Sequence, residues 1–171
     1  MENKKGYYIM LEGGEGGGKS TQTKLLYEHF LERGYDAKIT REPGGTKIGS
    51  EIRSVLLDPE NKEMCSETEL FLYGGDRAQH TDQIVIPSLE QGKILISDRG
   101  WPSTRNYQGV ARGLDIKLIN YINEVSTKGI MPDLLFILDV SPEVGLSREK
   151  EKDRFSLEKV SFAERVRKGY L

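Results

Sequence analysis

Short uninterrupted apolar runs alternate with longer amphipathic stretches along this chain. Tyr7-Tyr8-Ile9-Met10-Leu11 is apolar throughout, the pattern of a strand buried on both faces. A glycine-rich segment follows. Lys19 to Arg33 then repeats apolar residues at helical spacing, with Leu25, Leu26, Phe30 and Leu31 predicted on one face and Gly34 as the stop. Ala37 to Thr40 reads as a second strand, closed by the turn-forming cluster Arg41-Glu42-Pro43-Gly44-Gly45. Helices are predicted from Ile48 to Leu57 and from Ser66 to Gln91, the second kinked or divided at Pro87. Ile94 to Ser97 and Leu134 to Leu138 are the third and fourth predicted strands, with a helix from about Asp115 to Lys128 between them. From Pro142 onward the chain is highly charged and reads as helical with one break. Strands joined by helical crossovers predict an α/β fold, a parallel sheet flanked by helices with right-handed connections.

Composition narrows the classes. The 171 residues suffice for one well-buried domain and are short for two. Lys plus Arg number 25 against 27 Asp plus Glu, and this near balance argues against a nucleic-acid polymer or a membrane surface as partner. The one cysteine, Cys65, excludes a disulfide framework and a Cys-rich metal site. Met1 to Gly6 is polar and charged, and no run fits a secretory signal or a membrane span, so a reducing, cytoplasmic setting is expected.

The sharpest chemistry lies in Gly13-Gly14-Glu15-Gly16-Gly17-Gly18-Lys19-Ser20, a full match to G-x-x-x-x-G-K-[ST] between a predicted strand and a predicted helix. Glycines let successive backbone N–H groups turn around a phosphate, and the helix N-terminus adds partial positive charge. Lys19 is expected to reach the β- and γ-phosphates of ATP, and Ser20, followed by Thr21, to complete a Mg²⁺ site. This predicts a P-loop NTPase three-layer fold. The guanine-reading Asn-Lys-x-Asp motif is missing (Asn61-Lys62-Glu63-Met64 fails at its last position), which leaves the small kinases.

Further segments carry a family resemblance. The loop from Leu11 to Gln22, Arg41-Glu42-Pro43-Gly44-Gly45-Thr46, Leu70 to His80, Asp98-Arg99 with Tyr107-Gln108-Gly109, Pro132-Asp133 with Leu138-Asp139-Val140, and Asp153-Arg154-Phe155 together resemble the thymidylate kinases, in order and over essentially the whole chain. The resemblance implies transfer of the γ-phosphoryl group of ATP to dTMP, with Mg²⁺, in a homodimer. It implies that Arg41 and Arg99 hold the monophosphate. Both follow predicted strand ends, where parallel sheets bind ligands. Glu15 is expected to accept from the sugar 3′-hydroxyl and to order the arginines. Asp98 either orders Mg²⁺ through water or partners Arg99.

Base recognition falls to Tyr73, Arg77 and the segment from Thr104 to Gln108. Tyr73 and Arg77 stand at i,i+4 and can share a ligand, Tyr73 by stacking and Arg77 by donating to a carbonyl. Tyr107 is expected to crowd C2′ and favour deoxyribose, and Gln108 to bond the base or only local backbone. Arg148, Lys150, Lys152 and Arg154 read as a charged lid at about 145–158. Because Gly17 stands where some relatives carry an arginine, the lid's Arg148 or Arg154 is expected to supply the catalytic cation.

Gly100, Gly74, Gly75, Tyr73 and Ser156 depart from the family pattern, and the two helical glycines should soften their helix by roughly 1 kcal/mol each. His29, His80, Trp101 and Cys65 read as packing, surface or local hydrogen bonding. Members of the family continue past the equivalent of Leu171 with a strand and a helix, which this single kinase domain is expected to lack. The competing readings are another small P-loop kinase and an ATP-sensing binding module.

Overall fold

The structure, a computed structural model, describes residues 6–148, 153–155, 158 and 160–171. The elements run β1 (Tyr7–Glu12), α1 (Lys19–Glu32), β2 (Ala37–Arg41), α2 (Lys47–Leu57), α3 (Ser66–His80), a π-helical turn (Thr81–Val85), α4 (Ile86–Glu90), β3 (Ile94–Asp98), α5 (Trp101–Thr104), a π-helical stretch (Arg105–Ala111), α6 (Ile116–Thr127), β4 (Leu134–Ile137), α7 (Pro142–Arg148) and α8 (Val160–Tyr170). The strands form one parallel sheet in the order β2-β3-β1-β4. The expected flanked parallel sheet is therefore present.

Alternation along β1 explains the two core layers, because successive strand residues point to opposite faces. Ile9 and Leu11 pack with Ile96 against Leu26, Tyr27 and Phe30 of α1. Tyr8 and Met10 pack with Leu95 and Val85 on the other face, against Ile84, Leu89 and Trp101. Tyr7 is exposed, so the strand is buried on both faces only from Tyr8 onward. The predicted α1 stripe also needs correction. Leu26 and Phe30, one turn apart, reach the sheet, whereas Leu25 and Leu31 lie a third of a turn away and are exposed.

The long helix expected from Ser66 to Gln91 is divided. The π-helical turn Thr81–Val85 comes between α3 and α4, and Pro87 falls in the first turn of α4. A widened turn just before proline accommodates the ring and the missing N–H. Trp101–Ala111, for which the hydrophobic pattern predicts no element, is helical. Of the two helical glycines, Gly75 stands in open space, but a Cβ on Gly74 would lie 2.7 Å from Ile122 Cγ2. Gly74 thus lets α6 approach α3 closely.

Register sets the position of the site. Leu11, Asp98 and Arg41 are aligned across β1, β3 and β2, so the carboxyl ends of three strands open on one edge. The chain leaves β1 for β2 on one side and β3 for β4 on the other. The crevice between β1 and β3 is thus the switch point, where open α/β sheets bind ligands.

Candidate active site

At that switch point the loop after β1 turns into α1. Gly16 has φ +60, and a Cβ there would stand 2.0 Å from the carbonyl oxygen of Gly145. A Cβ on Gly145 would in turn stand 2.3 Å from the carbonyl oxygen of Glu15. Two glycines thus let α7 lie directly on the loop. Lys19 opens α1 and is 6% exposed, and its Nζ donates to the carbonyl oxygens of Gly13 (3.2 Å) and Gly14 (2.6 Å). Burial, helped by the like charge of Arg99, pushes its ammonium down to about 8, while Glu15 and Asp98 oppose the shift. Ser20 Oγ donates to Asp98 Oδ2 at 2.5 Å, joining the helix N-terminus to the end of β3. A hydroxyl and a carboxylate side by side at the phosphate loop are the hard oxygen donors that suit Mg²⁺, an ion that keeps several of its waters.

Gly13, Gly14, Gly17 and Gly18 complete the loop, and Gly16, Gly17, Gly18, Thr21, Arg41, Arg53 and Arg148 line an open cleft of about 1040 Å³. Arg99 stands where this cleft meets a second, smaller one. It follows the last residue of β3 with φ +71, a left-handed conformation that costs a non-glycine residue about 1 kcal/mol or more. Its Nη1 donates to Gly13 O (2.9 Å) and Ser103 Oγ (3.2 Å), and its Nη2 to Glu15 Oε1 (2.8 Å) and Tyr107 OH (3.2 Å). Tyr107 OH donates to the same Glu15 oxygen at 2.8 Å.

An acid inside an anion-binding loop is thereby explained. Burial alone would raise the Glu15 carboxyl, but Arg99 and then Lys19 outweigh it and hold the group below the usual carboxylate range. Glu12, at the end of β1, behaves oppositely. It is fully buried, and burial pushes its carboxyl up, with Arg99 and hydrogen bonds opposing. Glu12 accepts from the backbone N–H groups of Gly100 (2.8 Å) and Ser103 (3.1 Å), from Ser103 Oγ (2.8 Å) and from Tyr170 OH (2.8 Å).

The second cavity, about 70 Å³, is lined by Tyr73, Arg77, Arg99, Tyr107 and Gln108 among others, and shares Glu15, Glu42, Arg53, Leu57, Arg99 and Asp153 with the first. Tyr73 and Arg77 do face one space, as their spacing predicts. Arg77 is 2% exposed, its Nε donating to Glu42 Oε2 (2.8 Å), Nη1 to Asn123 Oδ1 (2.8 Å) and Nη2 to Thr104 Oγ1 (2.9 Å). Thr104 is absent from the cavity lining and touches it through Arg77. Gln108 lines the cavity, and its Nε2 donates to Glu69 Oε1 at 2.6 Å. A Cβ on Gly100 would stand 2.3 Å from Met10 Cε, so Met10 occupies the space next to this departure from the family pattern.

The two candidate lid arginines part company. Arg148 Nη1 donates to Gly16 O at 3.2 Å and lines the large cleft. Arg154 is buried, with Nε on Leu56 O (2.9 Å), Nη2 paired with Glu69, and its guanidinium 4.9 Å from the Phe155 ring centroid. It does not line the large cleft. Glu149, Lys150, Glu151, Lys152 and Ser156 lie outside the described residues.

Sequence reasoning missed Arg53, which lines both cavities from α2, with Nη1 donating to Pro43 O at 3.1 Å. Only the knowledge that α2 folds back over the turn after Arg41 would have found it. It also missed Glu12 and Tyr170, 158 positions apart in the chain.

A glycine loop feeding a Lys-Ser helix at the switch point of a parallel sheet places the chain among the P-loop nucleotide-binding proteins. The thymidylate kinase family model matches residues 11–171. A thymidylate kinase of Desulfosudis oleivorans is 47% identical, over 96% of this chain and 81% of its own length. One from Halothermothrix orenii is also 47% identical, over 97% and 83%. The crystal structure of thymidylate kinase from Ehrlichia chaffeensis superposes with a TM-score of 0.81 at 34% identity, covering 97% of this chain and 85% of that one. The chain belongs to the thymidylate kinase family.

Proposed function

We propose that the protein transfers the γ-phosphoryl group of ATP to dTMP, giving dTDP and ADP, within a single kinase domain. The observation that carries this reading is the junction of the two cavities at Glu15, Arg53 and Arg99. A donor bound at the phosphate loop and an acceptor bound against Tyr73 and Arg77 would meet there.

The acceptor phosphate is already ionised at neutral pH, so no strong general base is needed. Catalysis is then positioning and charge neutralisation. Lys19 leaves the loop carbonyls of Gly13 and Gly14 for the phosphates of ATP. Ser20 and Asp98 would hold Mg²⁺, which supplies charge neutralisation on those phosphates. Arg99 bridges donor and acceptor because it already reaches Gly13 on one side and Tyr107 on the other. Arg41 and Arg53 add positive charge for the monophosphate from the same cleft.

Arg77 has five N–H donors. Three are engaged by Glu42, Asn123 and Thr104, and the rest serve a pyrimidine carbonyl. Tyr73 stacks on the base, Glu15 receives the sugar hydroxyl, and Arg148 is the cation that closes on the transferred group.

A homodimer is the working form in this reading. Val55, Phe71, Tyr121 and Val125 leave apolar surface exposed on α2, α3 and α6. The single cysteine fits a reducing, cytoplasmic setting. The test is a coupled assay of ADP release from ATP and Mg²⁺ with and without dTMP. Release that depends on dTMP is expected, whereas ATP binding with no dTMP-dependent release would overturn the reading.

A further inference from the structure

We propose that His80 is a positioning residue for base recognition: through Glu42 it fixes the guanidinium of Arg77, so a buried chain of polar groups from β2 to α6 sets which pyrimidine the pocket accepts. The inference rests on the acceptor reading above.

The chain begins at Thr40 in β2, whose Oγ1 lies 2.6 Å from His80 Nε2. His80 Nδ1 lies 2.9 Å from Glu42 Oε1, and Glu42 Oε2 accepts from Arg77 Nε at 2.8 Å. Burial alone would raise the Glu42 carboxyl, but Arg77 and then His80 outweigh it and hold it lowered. An ionised carboxylate only accepts, so the proton between His80 and Glu42 sits on Nδ1. Nε2 meets the Thr40 hydroxyl, so both ring nitrogens have a polar partner. His80 donates to one oxygen of Glu42, and Arg77 donates to the other.

Burial makes this arrangement matter. His80 is 0% exposed and Arg77 2%, so water does not replace a lost partner without cost. Both oxygens of Glu42 are engaged, one by each neighbour on α3. Without His80, Oε1 loses its donor and the carboxylate is free to turn, taking its second oxygen away from Arg77. Arg77 and His80 stand at i,i+3, so they approach Glu42 from the same face of α3. The side-chain hydrogen bonds of His80, Glu42 and Arg77 run to one another and to Thr40, Asn123 and Thr104, not to Lys19, Glu15 or Arg99. The link of this chain to the phosphate side is the backbone N–H of Glu42, which donates to Asp98 O at 3.0 Å and does not depend on the His80 side chain. Losing His80 should therefore act on the base and spare the transfer step.

The test is steady-state kinetics of wild type, His80→Phe and His80→Asn with dTMP and dCMP at saturating ATP. Asparagine restores an N–H near the position of Nδ1, and phenylalanine does not. His80→Phe should raise KM for dTMP about 10-fold and lower the dTMP-over-dCMP ratio of kcat/KM about 10-fold, with kcat and KM for ATP within about twofold. His80→Asn should recover most of both losses. Unchanged KM and ratio in His80→Phe, kcat falling in step with KM, or no recovery by asparagine would each overturn the assignment.

If His80→Phe does not fold, Thr40→Val breaks the far end of the chain. It should move the same two parameters by about threefold, and no movement would overturn the assignment. A wild type that does not turn over dTMP would instead overturn the acceptor reading, and this inference with it.

Discussion

Replacing Arg154 by alanine should cost stability, and replacing Arg148 by alanine should cost turnover, although the two arginines bracket the same charged stretch of sequence. Arg154 pairs with Glu69, which is 1% exposed, and its guanidinium also holds Leu56 O at 2.9 Å. Breaking a buried pair by removing one partner typically costs about 3–5 kcal/mol. Here Arg112 Nη2 remains 3.3 Å from the same carboxylate, and Gln108 Nε2 still donates to it at 2.6 Å. The charge stays partly compensated, so about 2–3 kcal/mol is the expected loss. For a chain of this length that lowers Tm by about 8 °C.

Arg148 is exposed and donates to Gly16 O at 3.2 Å. Its loss should change stability by less than about 0.5 kcal/mol. If it closes on the transferred phosphoryl, kcat should fall about 100-fold or more, the scale of removing one preorganised donor from developing charge. Thermal melts and coupled ADP-release kinetics on both variants separate the effects. An Arg154→Ala protein that melts with the wild type yet loses turnover would refute the reasoning, as would an Arg148→Ala protein with normal kcat.

Four further outcomes are expected. Lys19 is near 8 in the free protein, so nucleotide phosphates should draw a proton onto it, and ATP binding at pH 8 should take up protons. Binding enthalpies that do not change with buffer ionisation enthalpy would contradict this. The same depressed value means that burying charged Lys19 costs stability below about pH 8, and the cost is relieved as pH rises from there towards 10.5, which a pH series of denaturant melts should register. Gly145→Ala puts a Cβ 2.3 Å from Glu15 O and should push α7 off the phosphate loop, raising KM for ATP about 10-fold; an unchanged KM would show that the loop yields freely. Tyr170→Phe removes one donor from buried Glu12 and should cost about 1.5 kcal/mol in urea unfolding, with no loss meaning that the remaining donors satisfy Glu12.

What could be read from sequence was what local spacing encodes. The glycine loop, Lys19 and Ser20 sit within one strand-loop-helix unit, and Tyr73 and Arg77 within one helix, so their juxtaposition needs no knowledge of the fold. Arg41 and Arg99 were placed by a rule about strand ends, and the register across β2 and β3 sets Arg41 opposite Asp98, the residue before Arg99. Trp101–Ala111 escaped because a π-helical stretch does not repeat at 3.6 residues and Gly100 and Pro102 look like turn signals. Leu25 and Leu31 were assigned to the wrong side of α1 because a leucine-rich helix offers two overlapping stripes, and only the sheet selects one. The fates of Arg148 and Arg154 could not be separated from sequence, since Glu69, which captures Arg154, lies 85 positions away. Glu42 and His80 are 38 positions apart, and their pairing with Arg77 depends on the end of β2 and the turn after it meeting the last turn of α3.

The central claim, that this site phosphorylates dTMP and selects it by its base, is tested most directly by kcat/KM for dTMP, dUMP, dCMP, AMP and GMP with ATP as donor. The account predicts that dTMP is clearly the best acceptor. Another monophosphate used as well as or better than dTMP, or no transfer to any of them, would contradict it.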